Sequence, residues 1–390
     1  MDTLLQTYRI KLDLTPTDYV RSFHDSINWK NRLIGLLGQK GVGKSTMILQ
    51  HIKLYDKIDE SLYVQADDFY FAGHRIYDLA LMFFQRGGKR LYIDEIHKYK
   101  GWTTEIKMIY DQLPLLQVVY SGSSILDLKK GAKADLSRRT IEYTMPVLSF
   151  REYLLLFHQI ESEVYSLEQI LNHEVSVPML KHPLPLFRDY LASGYYPFAM
   201  DYGFWQRMEQ VVAQTIESDI AQYADLKAST ARKLKQMLCV ISTLAPYKPN
   251  ADNLARELSV SKNNVPDYLV YLERAGMIGM LRDDTVGMRA LGKIEKVYID
   301  NPSLMTVLAG GHPDVGNIRE TFFYNQMRVK NKLFASRQSD FEIEKYTFEI
   351  GGKNKGQKQI DNLPCGYIVK DDIEIGHGNI VPLWMFGFNY

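Results

Sequence analysis

At 390 residues the chain exceeds what one ordinary hydrophobic core holds, so a single small domain is excluded and several domains are expected. With 46% hydrophobic and 24% charged residues it reads as packed globular units, and 47 Lys and Arg against 46 Asp and Glu leave a net charge of +1, too small to steer the whole molecule to nucleic acid or an anionic membrane. Cys239 and Cys365 are too far apart in sequence to suggest a disulfide framework or a zinc site, and no run approaches the roughly 20 apolar residues that span a bilayer, so a cytoplasmic protein with no membrane partner is expected.

Between residues 30 and 146, five short apolar runs alternate with helical stretches, the sequence form of a parallel sheet wrapped by helices. They are RLIGLLG (32–38), SLYVQA (61–66), RLYID (90–94), LQVVYSG (116–122) and TIEYTM (140–145). Directly after the first, Gly38-Gln39-Lys40-Gly41-Val42-Gly43-Lys44-Ser45 fits G-x-x-x-x-G-K-[ST], and Thr46 leads into a helix. Glycines at this spacing let successive main-chain N–H groups turn inward around phosphates. Lys44 then offers a point charge to the outer phosphates and the Ser45 hydroxyl a ligand for Mg²⁺. Gly38, Gln39, Lys40, Gly41, Val42, Gly43, Lys44, Ser45 and Thr46 are therefore the expected nucleotide-binding set.

Hydrolysis needs more than a cradle. The third run ends in Asp94-Glu95, so Asp94 is expected beside the metal and Glu95 beside the terminal phosphate as a base for water. Ser121 and Ser123 end the fourth run, where a polar group touches the terminal phosphate or its water, or alternatively caps a helix over ILDLKK. Arg138 and Arg139 precede the fifth run and are candidates to stabilise transition-state charge, in their own subunit or a neighbour's.

From 149 to 228 the spacing of apolar residues turns helical, interrupted by Pro183, Pro185 and Pro197, which reads as a helical lid of short helices. Residues 229–287 offer three amphipathic helices and a strand, the outline of a winged helix. Its third helix, expected from the cap Ser261 onward, presents Lys262, Asn263, Asn264 and Asp267, with Pro266 falling about one turn in, where it is poorly tolerated. Lys227, Arg232, Lys233 and Lys235 either meet phosphates or form a solvated face. Base reading and a structural joint to the nucleotide domain both remain open. Residues 288–390 mix a helix, NIRETFFYNQMRVK, with short strands DFEI, YTFEI, YIVK and NIVPLWMF, a small α/β domain.

The loop GQKGVGKST, the acid strand LYIDEIHKYKGW, the strand LQVVYSGSS, the segment MPVLSFREYL and the ending FEIGGKNKGQKQI together resemble the AAA-type P-loop ATPases of bacteria and archaea that carry a C-terminal domain of unknown function. The resemblance implies an ATP-binding core, a helical lid, a winged helix and a restriction-endonuclease-like C-terminal fold, and the choice of ATP over GTP rests on it alone. Within the ending, FEIGGKNKGQKQ fails as a second phosphate loop: Gln357 stands where lysine is needed and Lys358 where serine or threonine is. As a nuclease centre it would use Asp340 and Glu349, brought together by a turn at EKY, with Glu320 as a third acid. Gly351 occupies the place of the expected lysine, however, and the nearest one, Lys353, falls two residues late, about 7 Å along a strand. A basic glycine-rich turn that contacts phosphate backbone, or only turns, is the favoured reading.

The expected fold is α/β and multidomain: a P-loop NTPase parallel sheet (1–148), a helical lid (149–228), a winged helix (229–287) and a small nuclease-like α/β domain (288–390). The expected function is ATP binding and hydrolysis with Mg²⁺, the nucleotide state rearranging the later domains. The alternatives are an ATP-gated Mg²⁺-dependent nuclease and a non-catalytic nucleotide switch. DNA and a second copy of the chain are the candidate partners beyond ATP.

Overall fold

Six consecutive residues without a polar side chain, LIGLLG, satisfy a strand covered on both faces. They form β1 (Leu33–Gly38), buried along its whole length. The computed structural model describes residues 1–123, 136, 138–221, 226–283, 293–356, 360 and 363–390, and divides into two compact units. The first comprises Met1–Pro146 and Ser218–Leu226, the second Val147–Glu217 and Lys227–Tyr390.

In the first unit β1 is joined by β2 (Ser61–Gln65), β3 (Arg90–Asp94), β4 (Gln117–Ser123) and β5 (Ile141–Met145) in an all-parallel sheet of order β2-β3-β4-β1-β5. Helices α1 (Asp2–Leu14), α2 (Lys44–Tyr55), α3 (Ile76–Gln85) and α4 (Trp102–Gln112) complete an α/β fold. The order fixes where a ligand can go. From β1 the chain crosses through α2 to the far edge at β2, whereas β5 arrives on β1's other side. Crossovers that part at one strand leave a crevice at its carboxyl end, the usual ligand position in such sheets. Register sets Gly38 opposite Ser123 on one side and Met145 on the other, with Asp94 opposite Gln65.

The second unit opens with α5 (Phe150–His158), α6 (Leu167–Leu171), α7 (Pro183–Ser193) and α8 (Phe204–Gln214). Ser149 and Glu152 close a reciprocal capping box on α5, and Pro183 stands in the first turn of α7, where its missing N–H costs no helical bond. Beyond α8 the helix widens into a π-helical turn, Thr215–Ile220. There follow α9 (Ala228–Leu244), α10 (Ala251–Leu258), α11 (Val265–Arg274), and an antiparallel pair of β6 (Ile278–Arg282) with β7 (Ile294–Ile299). Here Pro266 departs from expectation. Ser261 caps a short 3₁₀ turn, Lys262–Asn264, and the α-helix proper begins at Val265, so Pro266 lies in its first turn and is tolerated.

The chain continues through α12 (Pro302–Leu308) and α13 (Val315–Met327) to a mixed sheet of β8 (Leu333–Ala335), β9 (Phe341–Ile343), β10 (Tyr346–Gly351), β11 (Gly366–Lys370) and β12 (Ile380–Pro382), ordered β12-β11-β10-β9-β8. The expected last strand stops at Pro382, which has no N–H for a further ladder bond, and Leu383–Phe388 coils into a buried 3₁₀ helix. Phe323 anchors this core, its ring 5.1 Å from those of Phe341 and Phe348 and 4.9 Å from that of Phe386. Among the described residues no helix is long and apolar enough to cross a membrane.

Candidate nucleotide site

The glycine-rich loop leaves β1 at the carboxyl edge of the sheet. Gly41 and Gly43 take φ of 85° and 100°, the left-handed region open to glycine, and a Cβ on Gly38 would stand 2.8 Å from the Met145 carbonyl oxygen. Gly43 is also the N-cap of α2 and brings no capping side chain, so the first N–H groups of that helix stay open to an anion. Arg21 clasps the loop from outside, donating to the Val42 carbonyl at 3.2 Å and to that of Pro146 at 2.6 Å. The buried Lys44 folds back over its own loop, its ammonium donating to the carbonyls of Gly38 (2.9 Å) and Gln39 (2.8 Å). Burial draws the Lys44 ammonium below its ordinary range, with Glu95 and Asp94 pulling the other way.

Across from the loop, Asp94 ends β3 with both carboxylate oxygens engaged: the Tyr63 hydroxyl donates at 2.6 Å and the Ser121 hydroxyl to the other oxygen. The two hydroxyls thus fix the orientation of the carboxylate expected to hold magnesium. Burial first, then Asp94, pushes the Tyr63 phenol well above its usual range and keeps it protonated as a donor. Hydroxyl and carboxylate oxygens without nitrogen or sulfur suit a hard divalent cation. Glu95 adopts φ 53°, uncommon for a residue with a side chain and typical of strained functional positions. Its N–H donates to the Ser121 hydroxyl at 3.2 Å, and its carboxylate lies 3.3 Å from His97 Nε2.

The sheet therefore brings together Gly38 to Ser45, Asp94, Glu95, Ser121 and Ser123, while Thr46 faces outward on the first turn of α2. Residues 124–135, including the expected helix over ILDLKK, lie outside the described residues. Three participants escaped the sequence reading. Tyr63 looked like one more apolar strand residue. His97 trails the acid strand with no motif of its own. Asp219 comes from 179 residues beyond Lys40, the loop cation it meets at 3.4 Å.

Residues 30–154 match the model of an AAA domain. The matched stretch contains the glycine-rich loop and the acid strand. Residues 184–314 match a domain of unknown function, DUF8612. A relative, the uncharacterized protein MJ1637 of Methanocaldococcus jannaschii, is 24% identical over 93% of this chain and 85% of its own length. Solved structures with partial likeness include C. elegans PCH-2, at 14% identity and a TM-score of 0.25, covering 70% of this chain and 66% of that one. AMPPCP-bound DnaA from Aquifex aeolicus reaches 12% and 0.24 over 69% and 86%, and a structure on katanin self-assembly 13% and 0.29 over 55% and 68%. TM-scores of this size carry no argument about fold or activity.

Arg138 and Arg139 lie away from the glycine-rich loop. They precede β5, whose first residue pairs with Ile34, near the opposite, amino edge of the sheet and about 13 Å from Met145 along the strand. Arg139 is held there by Asp111, at 3.0 and 3.1 Å.

The second candidate centre is partly assembled in the other unit. The β9–β10 hairpin pairs Phe341 with Phe348, so Asp340 and Glu349 come next along the two chains, and Asp340 accepts from the Ile350 N–H at 3.0 Å. Glu320 on α13 approaches through Lys296, a residue of β7 that the sequence did not single out. Its ammonium lies 3.0 Å from Glu320 and 2.9 Å from Asp340. Glu349 pairs with Lys355 and accepts from the Ser339 hydroxyl at 2.6 Å. Lys353 is exposed and is not the lysine that meets it: Lys355, two residues on, takes that place. The acids are thus matched by lysines, and among the described residues no three His, Cys, Asp or Glu side chains converge as metal ligands. Gln357 and Lys358 lie outside the described residues.

Proposed function

We propose that the protein binds magnesium-ATP at residues 38–46 and hydrolyses it. The observation that carries this reading is the loop's cradle at the carboxyl edge of the sheet, with Asp94 at the end of β3 held by the Tyr63 and Ser121 hydroxyls. In it the main-chain amides and Lys44 hold the phosphates, and Ser45 and Asp94 hold the cation, which when bound neutralises charge on the outer phosphates. Glu95 accepts a proton from the attacking water, while Ser121 fixes Asp94 and the Glu95 main chain together. Ser123, buried opposite Gly38, borders the loop. Arg138, exposed at the amino edge, is left to serve a neighbouring copy. The reading is tested by calorimetry of magnesium-ATP and magnesium-GTP together with phosphate release. Uptake of ATP with turnover is expected. Absence of uptake would overturn it, and uptake without turnover would leave a nucleotide switch in its place.

In the same reading α9 to α11 with β6 and β7 form a winged helix and the last sheet a nuclease-like fold without cleavage activity, because its acids are already matched by Lys296 and Lys355. The π-helical turn at Thr215–Ile220, one of three places where the chain passes between the two units, is a covalent route by which nucleotide state reaches them. DNA is a minor partner at best. Lys262, in the 3₁₀ turn ahead of the third helix, is paired with Asp252 at 2.8 Å and Lys235 with Glu217 at 3.2 Å, which leaves Lys227, Arg232 and Lys233 for phosphates. Three contacts predict that log affinity for duplex DNA falls against log salt with a slope of about −3. Fluorescence anisotropy across a salt series checks this, and a flat response would remove DNA from the partners.

A further inference from the structure

Asp219 is 1% exposed, yet its carboxylate faces cationic groups from three positions. Lys40 of the phosphate loop is 3.4 Å away, Lys98 3.2 Å and His97 Nε2 3.8 Å. Burial acts to raise this carboxyl, and His97, Lys40 and Lys98 outweigh it, holding it at about 2. The His97 ring is buried, and neither of its nitrogens makes a hydrogen bond among the described residues. It stands instead between two carboxylates, Glu95 at 3.3 Å and Asp219. The acid sits on a π-helical turn, a rare widening of the helix that recurs at functional sites. An anionic group therefore already engages a cation of the loop, and the same His97 ring that it faces also faces the residue read as the base.

We infer that Asp219 is a positioning residue that holds Lys40 in the nucleotide-free protein and, through His97, sets Glu95, and that a triphosphate displaces it from Lys40. This rests on the reading of residues 38–46 as a triphosphate site. Glu95 must face the terminal phosphate to act on water, and His97 touches both Glu95 and Asp219, so Asp219 opposes the charge of a third phosphate more than that of the first two. It thereby sets the balance between triphosphate and diphosphate, and the π-helical turn that carries it moves when the triphosphate arrives.

The test is a double-substitution cycle with Asp219→Asn and Lys40→Ala, read as Kd for magnesium-ATP and for ADP by displacement of a fluorescent nucleotide. Asp219→Asn is expected to tighten ATP by about tenfold and ADP by less than about threefold, with the gain for ATP reduced to about twofold or less in the Lys40→Ala background. Equal changes for both nucleotides, or a gain undiminished without Lys40, would overturn the inference and reduce Asp219 to a structural ion pair. A second measurement needs no variant: in the wild-type protein, amide exchange across Thr215–Ala221 is expected to speed up by about threefold with a non-hydrolysable ATP analogue. Unchanged or slowed exchange would count against it. A wild-type protein that takes up no ATP overturns the functional reading itself, which separates the two failures.

Discussion

Replacing Lys44 by Ala is expected to weaken magnesium-ATP binding by about a hundredfold or more, whereas Glu95→Gln is expected to leave Kd within about threefold and slow phosphate release by about a hundredfold to a thousandfold. The contrast follows from what each side chain touches. Lys44 is buried in the loop, its ammonium resting on the carbonyls of Gly38 and Gln39. That contact is an intramolecular substitute that phosphate oxygens replace with stronger, charge-assisted bonds. Removing the ammonium deprives ground state and transition state alike. Glu95 lies beyond the end of β3 in a left-handed conformation, held by the Ser121 hydroxyl and facing His97. Gln keeps the size and the backbone contact and loses only the proton acceptor. Calorimetry and phosphate release on both variants check this. Wild-type turnover by Glu95→Gln would transfer the base to another residue, and undiminished binding by Lys44→Ala would remove the nucleotide from this loop.

The geometry of the candidate site was legible because its residues are close together in sequence. Eight consecutive residues make the cradle, and strand patterning places Asp94 and Glu95 at an edge without any knowledge of distant neighbours. The five strands of the parallel sheet were legible for the same reason, since each is a short apolar run between breakers. What stayed hidden depends on contacts between residues far apart in sequence. Asp219 lies in an ordinary polar helix face by its spacing, and only the return of Ser218–Leu226 to the first unit buries it against Lys40. The choice of Lys355 over Lys353 turns on Gly351: a Cβ there would stand 2.6 Å from the Lys355 Cβ, so the bare glycine lets Lys355 lie back over the strand end and reach Glu349. Counting along an extended strand gives Lys353, because a count does not include the turn that follows. Pro266 fails in the same manner, since a 3₁₀ turn ahead of α11 shifts the helix start by three residues.

Replacing Lys296 by Met is expected to lower the stability of the second unit by about 3 kcal/mol at pH 8 and by much less near pH 5. The ammonium is the cation that Glu320 and Asp340 share, and the Tyr298 hydroxyl, donating to Glu320 at 3.0 Å, carries no charge to replace it. Burial already raises the Glu320 carboxyl above its ordinary range, with Asp340 adding to it and Lys296 opposing. A carboxyl whose folded-state value is raised binds its proton more tightly in the native state. Its contribution is therefore fully present below the ordinary carboxylate range and is lost as pH rises through the folded value. Without Lys296 that value climbs further, so the cost of the substitution must grow from pH 5 to pH 8. Urea unfolding at both values, with and without magnesium, measures it. If the variant matched wild type at pH 8 and magnesium stabilised the wild-type protein, the acids would be a vacant cation centre and the nuclease reading would return. A loss that grows with pH and is indifferent to magnesium makes Lys296 the permanent counter-ion of the cluster, occupying with one side chain the place a catalytic metal would need.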